Sequence, residues 1–354
     1  MPITLAQAQV NTAADVDYAV IDNLRRYSWL LDQIVFDDTV TPGTGGSSLT
    51  YGYTRLTAAR SAQFRALNSE YTPGQATRLP YTVQLKPLGG SFSVDRVLAR
   101  LGSAASNEIS FQMQQLLTAT RTRFQDELIN GDVAVDANGY DGLDKSLTGQ
   151  STEYVPLTEG IASGILDFTR GTIDTQAEAM AMLDVVDEWL SRIVPSHTGG
   201  GDQGMPGALP PGVKAILGNT RSITRLRALA RWAGIYTQSR DDLGRQIETY
   251  GPWVLVDLGD NAMGSAPIIQ NRTRTHGGTA DSGTSTNLTD LYAASFGLDA
   301  LHGASVAGNP LVQTWMPDFS QAGAAKSGEI EMGPAAMVLR NVRSCGVLRN
   351  IKVA

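Results

Sequence analysis

Residues 103–130 read SAASNEISFQMQQLLTATRTRFQDELIN, and this uninterrupted stretch decides the fold. It contains no proline and no glycine, and its apolar side chains recur at spacings of three and four, which predicts an amphipathic helix. Ser103 or Ser106 can cap its start, and Asn130-Gly131 supplies the stop signal. Such a helix is a rod of roughly 39 Å. Because a compact chain of 354 residues has a radius of gyration of only about 20 Å, we expect the helix to span the molecule.

The composition of the chain argues against several classes of protein. No apolar run approaches the ~18 residues that a membrane-spanning helix needs, and the start of the chain lacks the basic and apolar regions of a secretory signal. The one cysteine, Cys345, excludes an intramolecular disulfide framework and metal sites built from cysteine alone. The net charge of −7 argues against tight, nonspecific binding of nucleic acid by the whole chain.

The charge is distributed unevenly. Residues 46–102 carry seven basic and two acidic side chains, a net charge of +5, whereas residues 1–45 and 103–150 each carry a net charge of −4. A solvated basic loop would explain the +5 segment. So would a loop that binds an acidic partner, such as another copy of the chain, or nucleic acid.

Four elements are predicted ahead of the long helix. Residues 15–31 have helical periodicity, and residues 33–36 read as extended. Alternating apolar residues then predict two strands, at 49–53 and 79–85, with a broad tip at 57–76 between them. An isolated two-stranded ribbon is at best marginally stable in water, so this ribbon needs a partner surface.

An α/β body is predicted after the helix. A helix over 175–194 opens with a capping box, and a second helix begins at Asn219 or Thr220 and ends at Gly234. Residues 271–286 read as a polar, glycine-rich loop. Further apolar runs predict strands at 213–217, 253–257, 267–270, 291–296, 311–315, 335–340 and 346–353.

Motifs for catalysis or cofactor binding are scarce. The chain has no Gly-Lys dipeptide for a phosphate loop, no His-Glu-x-x-His and no Cys-x-x-Cys. The one literal Gly-x-Gly-x-x-Gly begins at Gly199 and comes after a predicted helix, not the strand that a dinucleotide site requires. Ser305 partly resembles a nucleophile elbow, without its last glycine. We expect no enzymatic activity, metal or cofactor, and keep a soluble, oligomeric α/β hydrolase as an alternative.

The order of these parts resembles one family. The segments 127–132 (ELINGD) and 139–143 (GYDGL) are similar to the helix-exit segment of the major capsid proteins of tailed double-stranded-DNA bacteriophages. Those proteins have the Hong Kong 97-type shell fold, which encapsulins also use. Residues 218–229 resemble the strand, turn and helix of that family's axial domain, and residues 266–270 and 291–297 resemble its later strands. The likeness covers nearly the whole chain as an order of parts.

The resemblance implies an α+β, Hong Kong 97-type fold with five parts. These are an N-terminal arm (1–45), an extended two-stranded loop (46–102), a peripheral domain (103–154) with a spine helix over 103–131, an α/β axial domain (155–315), and a C-terminal return to the peripheral domain (316–354).

The resemblance also implies a function. The chain is expected to be a structural protein of the virion, assembled in the bacterial host cytoplasm as pentamers and hexamers into an icosahedral shell. The shell would enclose double-stranded DNA without sequence-specific binding. The expected partners are the chain itself, a scaffolding protein, a portal and a decoration protein, and no membrane. Because the chain begins with the arm, we expect the scaffolding protein to be a separate chain or absent. An encapsulin-like compartment that holds cargo protein is the alternative shell.

The extended loop is expected to lie over a neighbouring subunit, where opposite charges would set the register of assembly. Its predicted contact residues are Arg55, Arg60, Phe64, Arg65, Tyr71, Arg78 and Lys86. The predicted acidic partners, on the arm and spine of a neighbour, are Asp32, Asp37, Asp38, Glu108, Asp126 and Glu127. Some family members crosslink a loop lysine to a neighbour's asparagine. Residues 58–76 contain no lysine, so we expect no such bond.

Overall fold

Two β-sheets and one long helix organise the chain. The computed structural model describes residues 28–41, 49–97, 103–193, 213–234, 237–240, 246–277 and 282–354. The helices are α1 (Leu30–Gln33), α2 (Ser103–Asn130), α3 (Leu143–Leu147), α4 (Gln176–Ser191) and α5 (Thr220–Trp232). The strands are β1 (Phe36–Val40), β2 (Thr50–Ala58), β3 (Thr77–Gln84), β4 (Lys86–Asp95), β5 (Glu153–Tyr154), β6 (Leu166–Asp167), β7 (Lys214–Gly218), β8 (Thr237–Arg240), β9 (Gln246–Tyr250), β10 (Trp253–Asp257), β11 (Arg272–His276), β12 (Gly283–Ser295), β13 (Leu301–Val306), β14 (Val312–Trp315), β15 (Ala325–Leu339) and β16 (Cys345–Lys352).

The helix predicted at 103–130 is present as α2, with 28 residues and a length of about 42 Å. Its C-terminal half enters the core, where Phe124 and Leu128 are buried. The helix ends at Gly131, whose amide donates to the Glu127 carbonyl at 2.8 Å. A Cβ at this position would collide with the backbone of Tyr140, so only glycine permits this exit from the helix.

A five-stranded sheet packs against α2. Its order is β1-β13-β15-β14, with β4 also paired to β15. The C-terminal part of β15 pairs with β13, whereas residues 329–332 pair with β14 and with β4. Because a strand has only two hydrogen-bonding edges, β14 and β4 lie on opposite sides of β15. A Cβ at Gly90 of β4 would meet the Leu116 side chain of α2, so this glycine allows the strand to approach the helix closely.

A nine-stranded sheet forms the second body. Its order is β5-β16-β12-β7-β10-β9-β8, with β11 paired to β12 and β6 paired to β16. Helices α4 and α5 share one core with this sheet, in which Trp189, Leu226 and Trp253 are buried. The predicted capping box is confirmed, since the Thr175 hydroxyl accepts from the Glu178 amide and the Glu178 carboxylate accepts from the Thr175 amide.

Most predicted strands are confirmed, but residues 267–270 form no strand. Ile268 and Ile269 are buried. The apolar pattern therefore predicted their burial correctly, but the strand predicted from it was wrong. Their backbone carbonyls accept from side-chain amides, Asn130 Nδ2 at 2.8 Å and Asn219 Nδ2 at 2.9 Å. These bonds replace the strand ladder that the backbone would otherwise need.

The loop predicted at 271–286 is instead largely a hairpin, formed by β11 and the start of β12. Its strands are polar, so apolar alternation could not reveal them. The Arg274 side chain of this hairpin makes two 2.6 Å contacts with the Asp290 carboxylate further along β12. This bidentate bond fixes the hairpin to the buried part of the sheet.

The boundaries of the predicted parts also differ from the observed pairing. β4 lies inside the range 46–102 but belongs to the five-stranded sheet through its pairing with β15. β13 and β14 precede residue 316 yet lie in that same sheet, and β16 comes after it yet lies in the nine-stranded sheet. The apolar residues of β16, including Val347 and Ile351, are buried against β12, and this burial draws the last strand into the second body.

The arm is described only in part. Residues 15–27 of the helix predicted at 15–31 lie outside the described residues, and the next element along the chain is the single turn α1. The extended segment predicted at 33–36 begins at Phe36 and runs to Val40 as β1, which pairs in parallel with β13. Within the part of the chain that the structure describes, no helix combines the length and apolar character needed to cross a membrane.

Candidate functional site

Strands β2 and β3 form an antiparallel hairpin that leaves the body of the chain. We call residues 50–84 the flap. Its register places Tyr51 opposite Val83, Tyr53 opposite Tyr81 and Arg55 opposite Leu79. Because alternate residues of a strand share a face, these pairs line one side of the ribbon. The predicted alternation of apolar residues is therefore present as one face, which is buried or partly buried at Tyr51, Tyr53 and Val83 and exposed at Leu79 and Tyr81.

The flap base, which we define as Tyr51, Tyr53 and Arg55, is bonded to the body of the same chain. The buried Tyr51 packs edge-on against the His302 ring at 5.7 Å, and its hydroxyl donates to Asp37 Oδ2 at 3.0 Å. The Tyr53 hydroxyl donates to the Leu339 carbonyl at 3.2 Å. The base therefore has a partner surface within the subunit.

Arg55 completes this attachment. Its Nε donates to the Arg340 carbonyl at 2.9 Å, and its Nη2 contacts the Leu339 carbonyl. The guanidinium lies over the Tyr81 ring, 4.4 Å from the centroid. Arg55 and Asp37 were both predicted to contact a neighbour, but the structure places both in contacts within the chain, because the flap folds against the end of β15.

The flap tip, which we define as residues 56–78, projects away from the body, and every residue in it is exposed. Phe64 is 106% exposed and Leu67 is 93% exposed. Arg65 stacks over the Tyr71 ring at 5.4 Å and donates to the Ser69 carbonyl at 3.0 Å. Arg60 and Arg78 are also exposed. The tip therefore presents aromatic and cationic side chains together to solvent.

The remaining predicted contact residues have three different outcomes. Lys86 lies on β4, where its Nζ donates to the Ala137 carbonyl at 3.1 Å, so it belongs to the body. Asp32 of α1 and Asp38 of β1 are exposed. The side chain of Glu108 lies outside the described part of the chain.

The two acids predicted on the spine are held by one arginine of the same helix. Arg123 lies 3.2 Å from Asp126 and 2.8 Å from Glu127. Glu127 is only 8% exposed, and this burial raises the pKa of its carboxyl against the opposing charge of Arg123. Both acids were predicted to contact a neighbour, and within the subunit they pair with Arg123, since spacings of three and four on a helix bring the side chains together.

The structure also contains a charged cluster that sequence reasoning missed. Arg349 of β16 contacts Asp144, Glu153 and Asp290, three acids from separate elements. Burial alone would raise the pKa of Asp290, but the hydrogen bonds and charge of Arg274 and the charge of Arg349 lower it. The one sequence signal was Asp290 itself, an acid within the apolar run of β12. The cluster joins α3, β5, β12 and β16 and is structural.

Two features that an enzyme could use, a nucleophilic serine and a group of metal ligands, were sought among the residues that the structure describes. Ser305 lies within β13, not on the sharp turn between strand and helix that a nucleophile elbow requires. Among the described residues, no group of three or more histidine, cysteine, aspartate or glutamate side chains could hold a metal ion.

Comparisons with known proteins identify the architecture. No family model and no curated protein sequence matches the chain. The structure is similar to the shell protein of the holo-SrpI encapsulin complex from Synechococcus elongatus, with a TM-score of 0.58, 13% identity, and coverage of 100% of this chain and 98% of that one. It is also similar to the capsid of the native GTA particle, with a TM-score of 0.53, 9% identity, and 99% coverage of both chains.

A third similar structure is that of Mycobacterium phage Bobi, with a TM-score of 0.52, 12% identity, and 99% coverage of both chains. Identities this low establish the fold and not the partners. The match extends over the whole length of the chains compared, including the flap and the long helix. The chain therefore has the Hong Kong 97-type fold that these phage-related capsids and encapsulin share.

Proposed function

We propose that this chain is the structural subunit of an icosahedral phage shell, assembled as pentamers and hexamers around double-stranded DNA. The observation that carries the proposal is the flap, anchored to its own subunit only at the base while its tip presents Phe64, Leu67 and Tyr71 to solvent. Full burial of one such side chain contributes about 1.5–3 kcal/mol. The tip supports assembly because a neighbouring copy can provide that burial.

The length of the tip supports the same proposal. Residues 59–76 form no helix or strand, and a segment of this size without regular structure is usually either functional or a linker. As the loop of a hairpin, residues 59–76 can reach at most about 30 Å beyond the paired strands. The flap is therefore long enough to cross the boundary between two subunits.

In this proposal the parts take the roles of the shell fold. The five-stranded sheet and α2 form the peripheral domain, and the nine-stranded sheet with α4 and α5 forms the axial domain. The subunit resides in the virion, acts with a scaffolding protein, a portal and a decoration protein, and needs no cofactor. It contacts the enclosed DNA without reading its sequence, in keeping with the net charge of −7.

The similarity to the encapsulin shell protein supports a second candidate, a compartment that encloses protein. The two candidates share the same subunit contacts and differ in content. Nuclease-resistant DNA inside purified particles would support the phage shell, and a co-purifying enzyme would support the compartment.

Light scattering of the purified protein, with negative-stain imaging of the same fractions, tests the proposal. Closed shells, pentamers or hexamers are the expected result. A monomer or small dimer that persists at high concentration, and also after co-expression with candidate scaffolding proteins from the same genome, would overturn the proposed function.

A further inference from the structure

The outward face of helix α5 is basic. The apolar side chains of the helix, Ile223, Leu226 and Leu229, are buried in the core that α5 shares with the nine-stranded sheet. At 3.6 residues per turn, the residues at 221, 224, 225, 228, 231 and 232 lie on the other side of the helix, within an arc of about 120°. Three of these six are arginines that are exposed or partly exposed, Arg221, Arg225 and Arg231. Helix α5 therefore presents a row of guanidinium groups to solvent.

The charges of this row are not neutralised by acids of the subunit. In the described part of the chain, the ion pair that α5 makes is that of Arg227, on the flank of the helix, with Glu248. Arg221 and Arg225 donate instead to neutral oxygens, a side-chain amide oxygen at 3.4 Å and a backbone carbonyl at 3.1 Å. A guanidinium bonded to a neutral oxygen keeps its net positive charge, so the row remains available to an anionic partner.

A groove beside α5 adds a fourth arginine and an aromatic ring. The groove has a volume of about 350 Å³ and lies between α5 and residues 168–174. Arg170 belongs to that segment and is exposed, and Trp232, at the end of α5, is 51% exposed. Asp174 is the one acid among the residues that line the groove. We call this surface the arginine face and define it as Arg170, Arg221, Arg225, Arg231 and Trp232.

We propose that the arginine face binds the phosphate backbone of the double-stranded DNA that the shell encloses. The inference rests on the proposed function and names the surface at which the subunit meets the contents of the shell. A guanidinium can bond one phosphate through two parallel N–H donors. Arg221 and Arg231 lie about 15 Å apart along the helix axis, and one strand of the duplex presents about four phosphates over that length. The row therefore matches successive phosphates of one strand.

The composition of the face favours nucleic acid over an acidic protein. The centre of a protein interface is apolar and poor in charged residues. On the outward side of α5, the side chains between the arginines are those of Thr224 and Ala228, and Trp232 is the one large ring. Interfaces with DNA are more polar and much more positive than interfaces between proteins, and the arginine face has that character.

A local basic face also reconciles contact with DNA and the net charge of −7. Three or four phosphate contacts give weak binding that depends steeply on salt. A shell repeats the same contact in every subunit, and linked weak contacts hold a ligand collectively. The DNA is then retained by many subunits at once, although each contact breaks easily.

Binding of unassembled subunits to a fluorescent DNA duplex, measured by anisotropy between 50 and 200 mM salt, tests the inference. Three or four contacts predict a slope of log Kobs against log salt of about −2.7 to −3.6. The variant Arg221→Gln/Arg225→Gln/Arg231→Gln should reduce the size of this slope by about 2–3, since each phosphate contact contributes about one. It should also lower the affinity at 50 mM salt at least about tenfold.

The control is Arg96→Gln/Arg121→Gln/Arg343→Gln, which removes the same charge from three exposed arginines elsewhere in the chain. It should bind DNA as the wild type does, and thermal melting checks that each variant is folded. Equal losses in the two triple variants would mean that net charge alone governs binding, and would overturn the inference. Displacement of the duplex by polyglutamate at equal charge would also overturn it, in favour of an acidic protein as the partner.

Assembled particles test whether the arginine face lies inside the shell. Thr224→Cys places an accessible thiol on the face, and the chain's own Cys345 is buried. A maleimide carried on a polymer too large to enter the shell should label this thiol in subunits and not in closed shells. Labelling of closed shells would place the face outside and overturn the inference, with the shell function left standing. If the unsubstituted chain never forms shells, the proposed function itself fails.

Discussion

The base and the tip of the flap belong to the same hairpin but obey different rules. At the base, Tyr51 is buried and its hydroxyl has a partner in Asp37, so the strands are held as in any folded domain. At the tip, Phe64 is fully exposed, and its burial must come from another molecule. The comparison shows that one ribbon can be held firmly at its base and still leave the apolar side chains at its tip exposed to solvent.

Removing the tip is the strongest way to separate the two regions. Replacing residues 59–76 by Asn-Gly would join β2 to β3 through a tight turn that suits paired strands, since Ala58 and Thr77 are already register partners. We expect the subunit to keep its melting temperature within a few degrees and to lose shell assembly completely. Calorimetry and sedimentation measure the two outcomes. Shells of normal yield from this variant would show that the tip has no role in assembly.

A matched pair of phenylalanines separates burial within the subunit from burial between subunits. Phe124 on α2 is 1% exposed and packs against Phe36 and Tyr140. Phe124→Ala should lower the free energy of unfolding by about 3–5 kcal/mol, as for other buried phenylalanines. Phe64→Ala should leave it unchanged and reduce assembly instead.

Denaturant unfolding of the unassembled subunits measures the first effect, and the critical concentration for shell formation measures the second. Each variant serves as the control for the other, because the chemical change is identical. A loss of subunit stability in Phe64→Ala would mean that the tip folds against its own chain in solution.

The elements that the sequence predicted are those decided by local pattern. The period of α2, the alternation of β2 and β3, and the capping box at Thr175 all depend on residues a few positions apart. The strand β4 was assigned to the extended loop, because its two glycines, Gly89 and Gly90, obscure any alternation and its partner β15 is about 240 residues away. Pairing over such a separation leaves no local signal.

The site shows the same division. The exposed arginines and aromatic residues of the tip were identified from composition alone, and the contacts that Arg65 makes, with Tyr71 and Ser69, are with near neighbours in the tip itself. The bonds of Arg55 within the chain were not predicted, because its partners Leu339 and Arg340 lie some 285 residues away. The partners of Asp126 and Glu127 were open to prediction, because Arg123 precedes them by three and four positions on a helix.

Lowering the pH should destabilise the flap base and leave the flap tip unaffected. His302 is buried beneath Tyr51, and burial lowers its pKa from the ordinary value of 6.5, with the charge of Asp37 opposing that effect. The unfolded chain therefore binds a proton that the folded chain lacks once the pH falls below about 6.5. The free energy of unfolding should decrease as the pH falls from there, by at most about 1.4 kcal/mol per pH unit for one proton.

Unfolding of the unassembled subunit between pH 7.5 and 5 measures this slope, and His302→Gln, which cannot titrate, provides the control. The variant should have a shallower dependence on pH than the wild type. Parallel curves for the two proteins would mean that His302 is not the titrating group.

The smallest effect expected from this comparison is that of one hydroxyl at the base. Tyr51→Phe removes the hydrogen bond to Asp37 and keeps the ring, so it should lower the free energy of unfolding by about 1–1.5 kcal/mol, because the remaining carboxylate is only partly exposed. Tyr71→Phe at the tip keeps the ring beneath Arg65 and should change subunit stability by much less. Denaturant unfolding at pH 7 compares the two. An equal loss of unfolding free energy in both variants would contradict the difference between a base bonded to the body and a tip exposed to solvent. It would also remove the physical reason why one end of the hairpin is fixed to its own subunit while the other is free to contact a second copy.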